Sequence, residues 1–513
     1  MFNQNDSLEK SIDISRLEGE SIGSIGLEKE SLRMIGQDIS QNSHKKYLGK
    51  ALFNNYITKD FAEAQTELVT PPSSNKDELI EFLDCLHGFV LSKIENEYFW
   101  PFSIPNSNSL SREIKIAEFG NSNKGTLKKI YREGLALRYG KPMQIISGIH
   151  FNYSFNDKFW NLLSVSKKDG KIRDEIYFRA IRNVQRYNWF ILYFFGCSPI
   201  LGKELINDSL NFRKFNPDEY QLCDATSLRM SSMGYQDIEQ SKLHMANQNL
   251  ESYISSIYNA CNIHSSKFAK LTKNKTNKLK QLNENILQIE DEYYGVCRPK
   301  SKLNNKFRQL SNLSSNGIDY IELRSLDLNP FSPRGIERKD INFIEAFLIY
   351  CTLSASPEFT EETLNEALDN NENVSCFGRS KTLSIHDNGK AVKFPERAKL
   401  LLNEINELVI KPLAIDVNIA DYTNQIDDPG MTISGRLLNK IREENISFSN
   451  LGEKIGKENK TRFLNNTLLS KDVQKTLKME IDRSNNFTSR IEEDDDLNFE
   501  AFLKEYLTIQ NQE

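Results

Sequence analysis

The stretch from residue 317 to residue 333, GIDYIELRSLDLNPFSP, has the pattern of a β-strand that ends in a rigid, proline-bounded turn. Ile321 and Leu323 alternate with Glu322 and Arg324, and this period of two is typical of a strand. Glu322 and Arg324 therefore share one face. A carboxylate and a guanidinium among apolar neighbours are costly to bury unless something binds them. Two interpretations stay open: a structural ion pair, which the strand alone favours, or one wall of a nucleotide–metal site.

The composition is that of a globular protein with a large core. The chain has 513 residues, of which 38% are hydrophobic and 27% charged, and by length alone it suggests about three domains. Its net charge of −5 offers no basic footprint, so we expect no nucleic-acid partner. No window approaches the roughly 18 apolar residues of a membrane span, so we expect no membrane partner.

The cysteines and the first residues indicate a compartment. Seven cysteines are scattered without a CxxC pair, and an odd count in this pattern predicts mostly free thiols in a reducing environment. The opening MFNQNDSLEKS lacks the basic and apolar regions of a secretory signal. We therefore expect a cytoplasmic protein.

A second stretch, GLEKESLRM at residues 26–34, brings two carboxylates together. As a strand it places Glu28 and Glu30 on one face, with Lys29 and Arg33 on the other. Two carboxylates on one strand face raise each other's pKa unless a cation lies between them. Spaced carboxylate oxygens are what Mg²⁺ binds, although a solvated strand face explains this stretch equally well.

A third stretch, DFAEAQTELVTP at residues 60–71, is also rich in carboxylates. Asp60 and Glu67 would share a face in a helix, and Glu67 would share one with Glu63 in a strand. Phe61 and the closing proline pair favour the strand. Either structure turns several carboxylates in one direction.

The strand predicted for residues 145–155 carries a histidine. Its apolar face contains Phe151 and Tyr153, and its polar face contains His150. Gly148 leaves room there for a ligand or another backbone. A single histidine on a strand is usually only hydrogen-bonded, so His150 alone does not predict a metal.

The remaining chain is mostly helical by its hydrophobic periodicity. His87 and Cys85 are expected in the core of the helix over residues 76–99. The acidic run at residues 492–496 and the Lys-rich run at residues 267–280 are expected to be solvated loops. A strand is expected over residues 285–300, and further helices over residues 172–196, 246–262, 338–354, 395–410, 433–442, 461–482 and 498–508.

Taken together, the strands supply hard, mostly oxygen ligands, which suit Mg²⁺ or Mn²⁺ better than Zn²⁺. Arginines of the type that hold phosphates accompany them. No GxxxxGK[ST] or paired GxGxxG motif is present, which excludes P-loop and Rossmann nucleotide sites.

Eight motifs in this order resemble the γ-proteobacterial type of glutamate–cysteine ligase. They are GLEKESLR (26–33), DFAEAQTELVTP (60–71), WPFSIP (100–105), YREGLALRYG (131–140), ISGIHFNYS (146–154), ATSLRMSSMGY (225–235), LQIEDEYY (287–294) and YIELRSLDLNPFSP (320–333). The resemblance covers about residues 20–350, and the remainder is similar only in helical character. It implies an α+β fold of the glutamine-synthetase-like carboxylate–amine ligases, in which a curved, mainly antiparallel sheet forms a funnel-shaped active site surrounded by helices. It also implies a catalytic core over residues 1–350 and a mainly helical part over residues 351–513 packed on it.

The resemblance also assigns roles to twelve residues, all of the expected type. Arg132 and Arg324 match the family's phosphate-stabilising arginines, and Arg229 matches the arginine near the substrate glutamate. The aromatic pocket for cysteine corresponds to Tyr131, Tyr235 and Tyr294. The Mg²⁺-binding positions correspond to Glu28, Glu30, Asp60, Glu67, His150 and Glu322. One departure is Lys29, where the family usually has an arginine, and its side chain should point away from the metals.

The implied activity is ATP-dependent joining of the side-chain carboxylate of L-glutamate to L-cysteine, the first step of glutathione synthesis. ATP would convert the carboxylate to an acyl phosphate, so no protein nucleophile is needed. The substrates would be L-glutamate, L-cysteine and ATP, with Mg²⁺ or Mn²⁺ as cofactor, and we expect a monomer. Two alternatives remain at this point: a ligase of the same fold for another amine, and a non-catalytic protein that binds Mg²⁺ or amino acids.

Overall fold

The structure is a computed structural model that describes most of the chain. The described residues are 6–8, 12–206, 210–234, 240, 243, 247–271, 279–302, 308–466 and 471–508. Tyr235 and residues 272–278 of the Lys-rich run lie outside them. Within these ranges all seven cysteines are free.

Thirteen strands occur in the described residues. They are β1 Gly23–Ile35, β2 Asp38–Ile39, β3 Ile57–Lys59, β4 Gln65–Val69, β5 Tyr98–Phe99, β6 Ile149–Phe155, β7 Ile200–Gly202, β8 Arg213–Lys214, β9 Glu219–Gln221, β10 Cys297–Lys300, β11 Tyr320–Leu326, β12 Ser384–Asp387 and β13 Lys390–Lys393. The prolines after β11 follow the strand, as its sequence predicts.

Helices make up most of the remainder. They are α1 His44–Leu48, α2 Lys76–Leu91, α3 Ser107–Ser111, α4 Asn123–Tyr139, α5 Lys141–Gln144, α6 Asp157–Leu162, α7 Gly170–Phe195, α8 Leu250–Asn262, α9 Ser266–Lys270, α10 Gln309–Asn316, α11 Arg338–Leu353, α12 Glu361–Phe377, α13 Phe394–Ile405, α14 Lys411–Leu413, α15 Ile419–Asp427, α16 Ile433–Glu443, α17 Phe448–Asn466, α18 Lys471–Asp494 and α19 Phe499–Thr508. None of the described helices combines the length and apolar character needed to cross a bilayer.

The largest sheet has the order β10-β11-β6-β1-β4-β3, and every neighbouring pair is antiparallel. β2 and β5 pair with the far end of β1. The register puts Glu28 of β1 opposite His150 of β6, and Glu30 opposite Glu67 of β4. Sheet and helices together give the expected α+β class, with an open, mainly antiparallel sheet.

The apolar face of the sheet is covered by two long helices. Phe151 lies opposite Leu27 on one side and Leu323 on the other, and all three side chains are buried. α7 and α11 pack together and against this layer because their buried residues are almost continuously apolar. The polar face is thereby left for the cavity described below.

Several sequence expectations about elements are wrong in part. Residues 267–270 of the Lys-rich run, expected to be a loop, belong to α9. The helix expected over residues 76–99 ends at Leu91, and residues 98–99 form β5. The helix expected over residues 461–482 spans the end of α17 and the start of α18. The strand expected over residues 285–300 is formed only by Cys297–Lys300. The backbone N–H of Gln288 donates to the Glu292 carboxylate at 2.7 Å and is therefore not available to a neighbouring strand.

The acidic run at residues 492–496 is not simply a solvated loop. Glu492 lies in the last turn of α18 and accepts a hydrogen bond from the backbone N–H of Asn121 at 2.8 Å. Asp495 accepts one from the backbone N–H of Asn123 at 2.5 Å. These carboxylates meet the N-terminus of α4, where unpaired N–H groups and the helix dipole favour negative charge.

Candidate active site

A cavity of about 250 Å³ opens on the polar face of the main sheet. Its walls come from β1, β4, β6, β10, β11 and α4. Ten of the twelve residues that the resemblance assigns line it: Glu28, Glu30, Asp60, Glu67, Tyr131, Arg132, His150, Tyr294, Glu322 and Arg324. Glu28 and Glu322, which are 294 positions apart in the chain, thus meet because β1 and β11 both pair with β6.

His150 is at the centre of the acidic side of the cavity. Its Nδ1 lies 3.3 Å from Glu28 Oε2 and 3.5 Å from Glu322 Oε1, and its Nε2 lies 3.5 Å from Glu30 Oε1. Potential ligand atoms of Glu28, Glu67 and His150 all lie within 4.8 Å of one another. Such a group of oxygens and one imidazole nitrogen is able to hold a divalent cation.

Two of these carboxyls have raised pKa values. Burial and the nearby Asp60 raise the pKa of Glu30 to about 8. Burial, together with Glu28 and Asp60, raises the pKa of Glu67 well above its ordinary value. Both carboxyls are therefore held in a place that favours their protonated form until positive charge enters.

Two other carboxyls in the same cavity keep their charge. Burial opposes ionisation of Glu322, but Lys300 and Arg324 outweigh it and hold its pKa well below the ordinary value. Burial also opposes ionisation of Glu28, whose pKa is nevertheless lowered, chiefly by the hydrogen bond with His150. Burial lowers the pKa of His150, which keeps the imidazole neutral and able to act as a ligand.

Arg132 and Arg324 lie on different walls of the cavity. The Arg132 Nε donates to the Asp60 carbonyl at 2.5 Å, and its guanidinium packs over the ring of Phe119 at 4.6 Å. Arg324, on β11, has its Nη1 3.2 Å from Glu322 Oε2. These contacts hold both guanidinium groups at the cavity, and a planar guanidinium is a group that is able to bind phosphate oxygens.

Arg229 lies behind the cavity wall rather than on it. Its Nη2 donates to the backbone carbonyl of Arg324 at 2.9 Å, and its Nη1 lies 3.5 Å from Asp327 Oδ1. The room that Gly148 leaves is filled by this side chain, since a Cβ there would lie 2.2 Å from Arg229 Nη2. Arg229 thus holds the strand that carries Arg324, and its contact with substrate stays a prediction.

An aromatic region forms the other end of the cavity. Tyr131 of α4 and Tyr294 line it, and the Gln144 side-chain amide donates to the Tyr294 hydroxyl at 2.9 Å. The ring of Tyr139 meets that of Tyr294 edge-on, with 5.6 Å between the ring centres. Tyr235, the third tyrosine of the expected pocket, lies outside the described residues.

Several lining residues were not assigned from the sequence. Lys300 Nζ lies 3.3 Å from Glu322 Oε2, and Arg298 pairs with Glu322 across the β10–β11 ladder. In the described part of the protein, Arg298 Nε is buried without a hydrogen-bond partner. The CRPK pattern at residues 297–300 puts two cations on one strand face, the same period-two signal that identified Glu322 and Arg324. The other unassigned lining residues are Phe61, Leu135, Gln144, Asp291 and Glu292.

Oxygen ligands and a neutral imidazole lie at one place, guanidinium and ammonium groups lie beside them, and an aromatic end completes the cavity on an open antiparallel sheet. These groups fit the class of carboxylate–amine ligases, enzymes that activate a carboxylate with a nucleotide phosphate and pass it to an amine.

The comparisons name the particular family. A family model described as glutamate-cysteine ligase matches residues 13–374, so the chain belongs to the glutamate-cysteine ligase family, the ATP-dependent ligases of glutathione biosynthesis. The glutamate–cysteine ligase of Wigglesworthia glossinidia brevipalpis is 37% identical over 478 residues, 89% of this chain and 94% of that protein. The enzyme of Alcanivorax borkumensis is 38% identical over 445 residues, 82% of this chain and 84% of that protein. The crystal structure of Francisella tularensis glutamate–cysteine ligase in complex with AMP is similar with a TM-score of 0.88 and 28% identity, and the match covers 96% of this chain and 99% of that one.

Proposed function

We propose that this cavity is the place where the protein joins the side-chain carboxylate of L-glutamate to the amine of L-cysteine with ATP, giving γ-glutamylcysteine, ADP and phosphate. The observation that carries the proposal is the meeting of the acidic cluster, Arg132, Arg324 and the tyrosines in one cavity. A chain of the glutamate-cysteine ligase family with all these groups in reach of each other has the parts that the reaction needs.

We further propose that Mg²⁺, with Mn²⁺ as a possible substitute, is held by Glu28, Glu30, Asp60, Glu67, His150 and Glu322. The fit rests on the raised pKa values of Glu30 and Glu67, because carboxyls that repel each other in a buried cluster are stabilised by a shared cation. The neutral imidazole of His150 adds a nitrogen ligand. When bound, Mg²⁺ would neutralise phosphate oxygens of ATP and orient them.

The protein groups around the metal-binding cluster then have distinct tasks. Arg324 and Arg132 would stabilise the charge on the phosphoryl group as it passes to the glutamate carboxylate and forms the acyl phosphate. The cysteine amine attacks the acyl carbon, the C–O bond to phosphate breaks, and the attacking nitrogen gives up one proton to the departing phosphate or to solvent. Lys300 and Arg298 extend the cationic side of the cavity and would contact further phosphate oxygens.

Tyr131 and Tyr294 would form the pocket for the cysteine side chain. Aromatic faces with hydroxyl groups recognise a soft thiol by size and contact more than by a strong hydrogen bond. The Gln144–Tyr294 hydrogen bond fixes one wall of this pocket. We also propose that the protein is a cytoplasmic monomer, with residues 1–350 as catalytic core and residues 351–513 as a helical part.

The direct test measures ADP formation with glutamate, ATP and Mg²⁺, with and without cysteine. We expect turnover that depends on cysteine, and a panel of other amines should give much less. If ADP forms only independently of cysteine, or if turnover favours another amine, the protein has a different function from the one proposed. Absence of any ATP turnover would indicate a binding protein.

The metal assignment has its own test. Glu67→Gln and Glu322→Gln each remove a charge from the cluster, so we expect turnover to fall by orders of magnitude and the Mg²⁺ requirement to rise. Glu345→Gln, at a buried glutamate on the other side of the sheet that pairs with Lys76, is the matched control. Near-normal activity at low Mg²⁺ in both cluster variants would refute the assignment.

A further inference from the structure

Two segments form the aromatic end of the cavity. α4 contributes Tyr131 and Arg132, and the segment at residues 288–294 contributes Asp291, Glu292 and Tyr294. They approach closely, because the Gln288 side-chain amide donates to the Tyr131 carbonyl at 3.2 Å. The width of this end therefore depends on how α4 is held against the segment.

The C-terminal residues 492–508, here called the strap, contact the beginning of α4. Asp495 accepts the first backbone N–H of the helix, from Asn123, and the Asn123 side-chain amide donates to the Leu497 carbonyl at 2.9 Å. Glu492 accepts the N–H of Asn121 and pairs with Lys50 at 2.7 Å. The approach requires Gly120, whose φ is +96° and whose Cβ would lie 2.4 Å from the Glu492 carboxylate.

The strap also contacts the segment at residues 288–294, the second of the two segments at this end of the cavity. Leu503 of α19 is buried in a small apolar cluster with Leu127 of α4 and with Ile289, and Tyr131 packs against this cluster. The Arg308 guanidinium packs over the Tyr506 ring at 5.0 Å, and Arg308 binds the Glu290 carboxylate. One short helix thus contacts α4 and the two residues that precede the lining residue Asp291. It reaches Glu290 through Arg308 and Ile289 through the apolar cluster.

We propose that the strap is a positioning element that sets the width of the cysteine end of the cavity by holding α4 against residues 288–294. The proposal rests on the function given above, since it assigns that end to cysteine. Leu503, Tyr506 and Asp495 are positioning residues and lie outside the cavity lining. Their effect reaches cysteine through Tyr131 and Tyr294. Arg132 lies on the same helix, but its Nε is held by the Asp60 carbonyl at 2.5 Å, so the ATP side of the cavity, otherwise built on the sheet, should change less.

The test uses full-length Leu503→Ala and Tyr506→Ala proteins at a temperature where both are folded. We expect the KM for cysteine to rise about tenfold while the KM for ATP changes less than about twofold, because displacement of a positioning wall by a fraction of an ångström is enough for such losses. Tyr506→Phe keeps the ring over Arg308 and should restore the KM for cysteine. Glu505→Ala, on the exposed face of the same helix, is the control.

A second pair of variants tests the contact at the start of α4. Asp495→Ala removes the acceptor for the Asn123 N–H, whereas Asp496→Ala changes an exposed neighbour outside these contacts. We expect faster hydrogen exchange in the first turn of α4 and a higher KM for cysteine in Asp495→Ala only. If exchange accelerates and the KM for cysteine stays the same, the strap is structural and the proposal is wrong.

The two proposals fail in different ways. If the unaltered protein forms no ADP in response to cysteine, the proposed function fails before any variant is made. If it does respond, but Leu503→Ala and Tyr506→Ala lower kcat and raise the KM values for cysteine and ATP alike, in proportion to their loss of thermal stability, the strap has no selective role.

Discussion

The two faces of β1 carry charged residues under opposite conditions. On one face Arg33 pairs with Glu97 at 2.6 Å, both side chains fully buried, and Lys29 Nζ lies 2.8 Å from His87 Nε2. On the other face Glu28 and Glu30 enter a cluster of carboxyls. Arg33 and Lys29 have hydrogen-bond partners within the protein, whereas on the cavity face burial and the nearby Asp60 disfavour the charge of Glu30, which is typical of a functional site.

Breaking the Arg33–Glu97 pair should have the largest effect. This pair lies on the face of β1 turned away from the cavity, here called the closed face. Arg33→Met leaves Glu97 buried without its cation, so we expect the free energy of unfolding to fall by about 3–5 kcal/mol, measured by urea denaturation. The double variant Arg33→Met/Glu97→Met should recover much of the loss. If the single and double variants are equally unstable, packing and not charge holds this face.

The face of the sheet that lines the cavity, here called the open face, includes Arg324 of β11. Arg324→Lys should lower the reaction rate and leave the fold intact. Lysine keeps the charge but lacks the planar fork that grips two phosphate oxygens. We expect turnover to fall by an amount equivalent to about 2–4 kcal/mol of transition-state stabilisation. A weaker affinity for ATP with unchanged turnover would make Arg324 a ground-state binder instead.

The contrast between the faces was only partly readable from the sequence. The period-two patterns predict that Glu28 and Glu30 share one face of β1, that His150 lies on the polar face of β6 and that Glu322 lies beside Arg324 on β11, because side-chain direction on a strand is a local property. Which strands become neighbours is not local, so the sequence alone could not place Glu30 opposite Glu67. That pairing depends on the antiparallel order of the whole sheet.

Other features were missed for reasons of the same kind. Arg298 and Lys300 have the period-two spacing of a shared strand face, but in a strand of only four residues this spacing is not distinctive. The acidic run at residues 492–496 binds the start of α4, more than 350 positions away, and charge alone does not reveal such a partner. Arg229 supports the Arg324 strand from behind by donating to the Arg324 carbonyl, a contact between residues 95 positions apart that no local pattern reveals.

Lys29 permits a test of the closed face by pH. Burial lowers its pKa to about 7, so the folded protein releases this proton while an unfolded lysine holds it up to its ordinary value. Because the unfolded state binds more protons between these two values, stability should rise with pH above about 7. Relative to Lys29→Met, the unaltered protein should gain about 2 kcal/mol between pH 7 and pH 9.

The same pH difference should appear with Mg²⁺ and with a chelator, because the Lys29 amine contacts His87 on the face away from the cluster. A pH response that depends on Mg²⁺ would mean that the two faces are electrostatically coupled. An absent response would mean that Lys29 keeps its proton and that the closed face accommodates an ammonium.

The smallest effect is expected on stability at the open face. Glu28, Asp60 and Glu30 all repel a charge on Glu67, so Glu67→Gln removes a conflict that the protein carries in the absence of metal. In a chelator at pH 8 we expect the free energy of unfolding to rise by about 1 kcal/mol, as is common when a functional conflict is relieved. Saturating Mg²⁺ should reverse the order, since it binds the folded protein that retains the carboxylate more tightly and therefore stabilises it more. A variant that is less stable in both conditions would show that Glu67 belongs to the fold, and the distinction between the two faces of β1 would not extend to it.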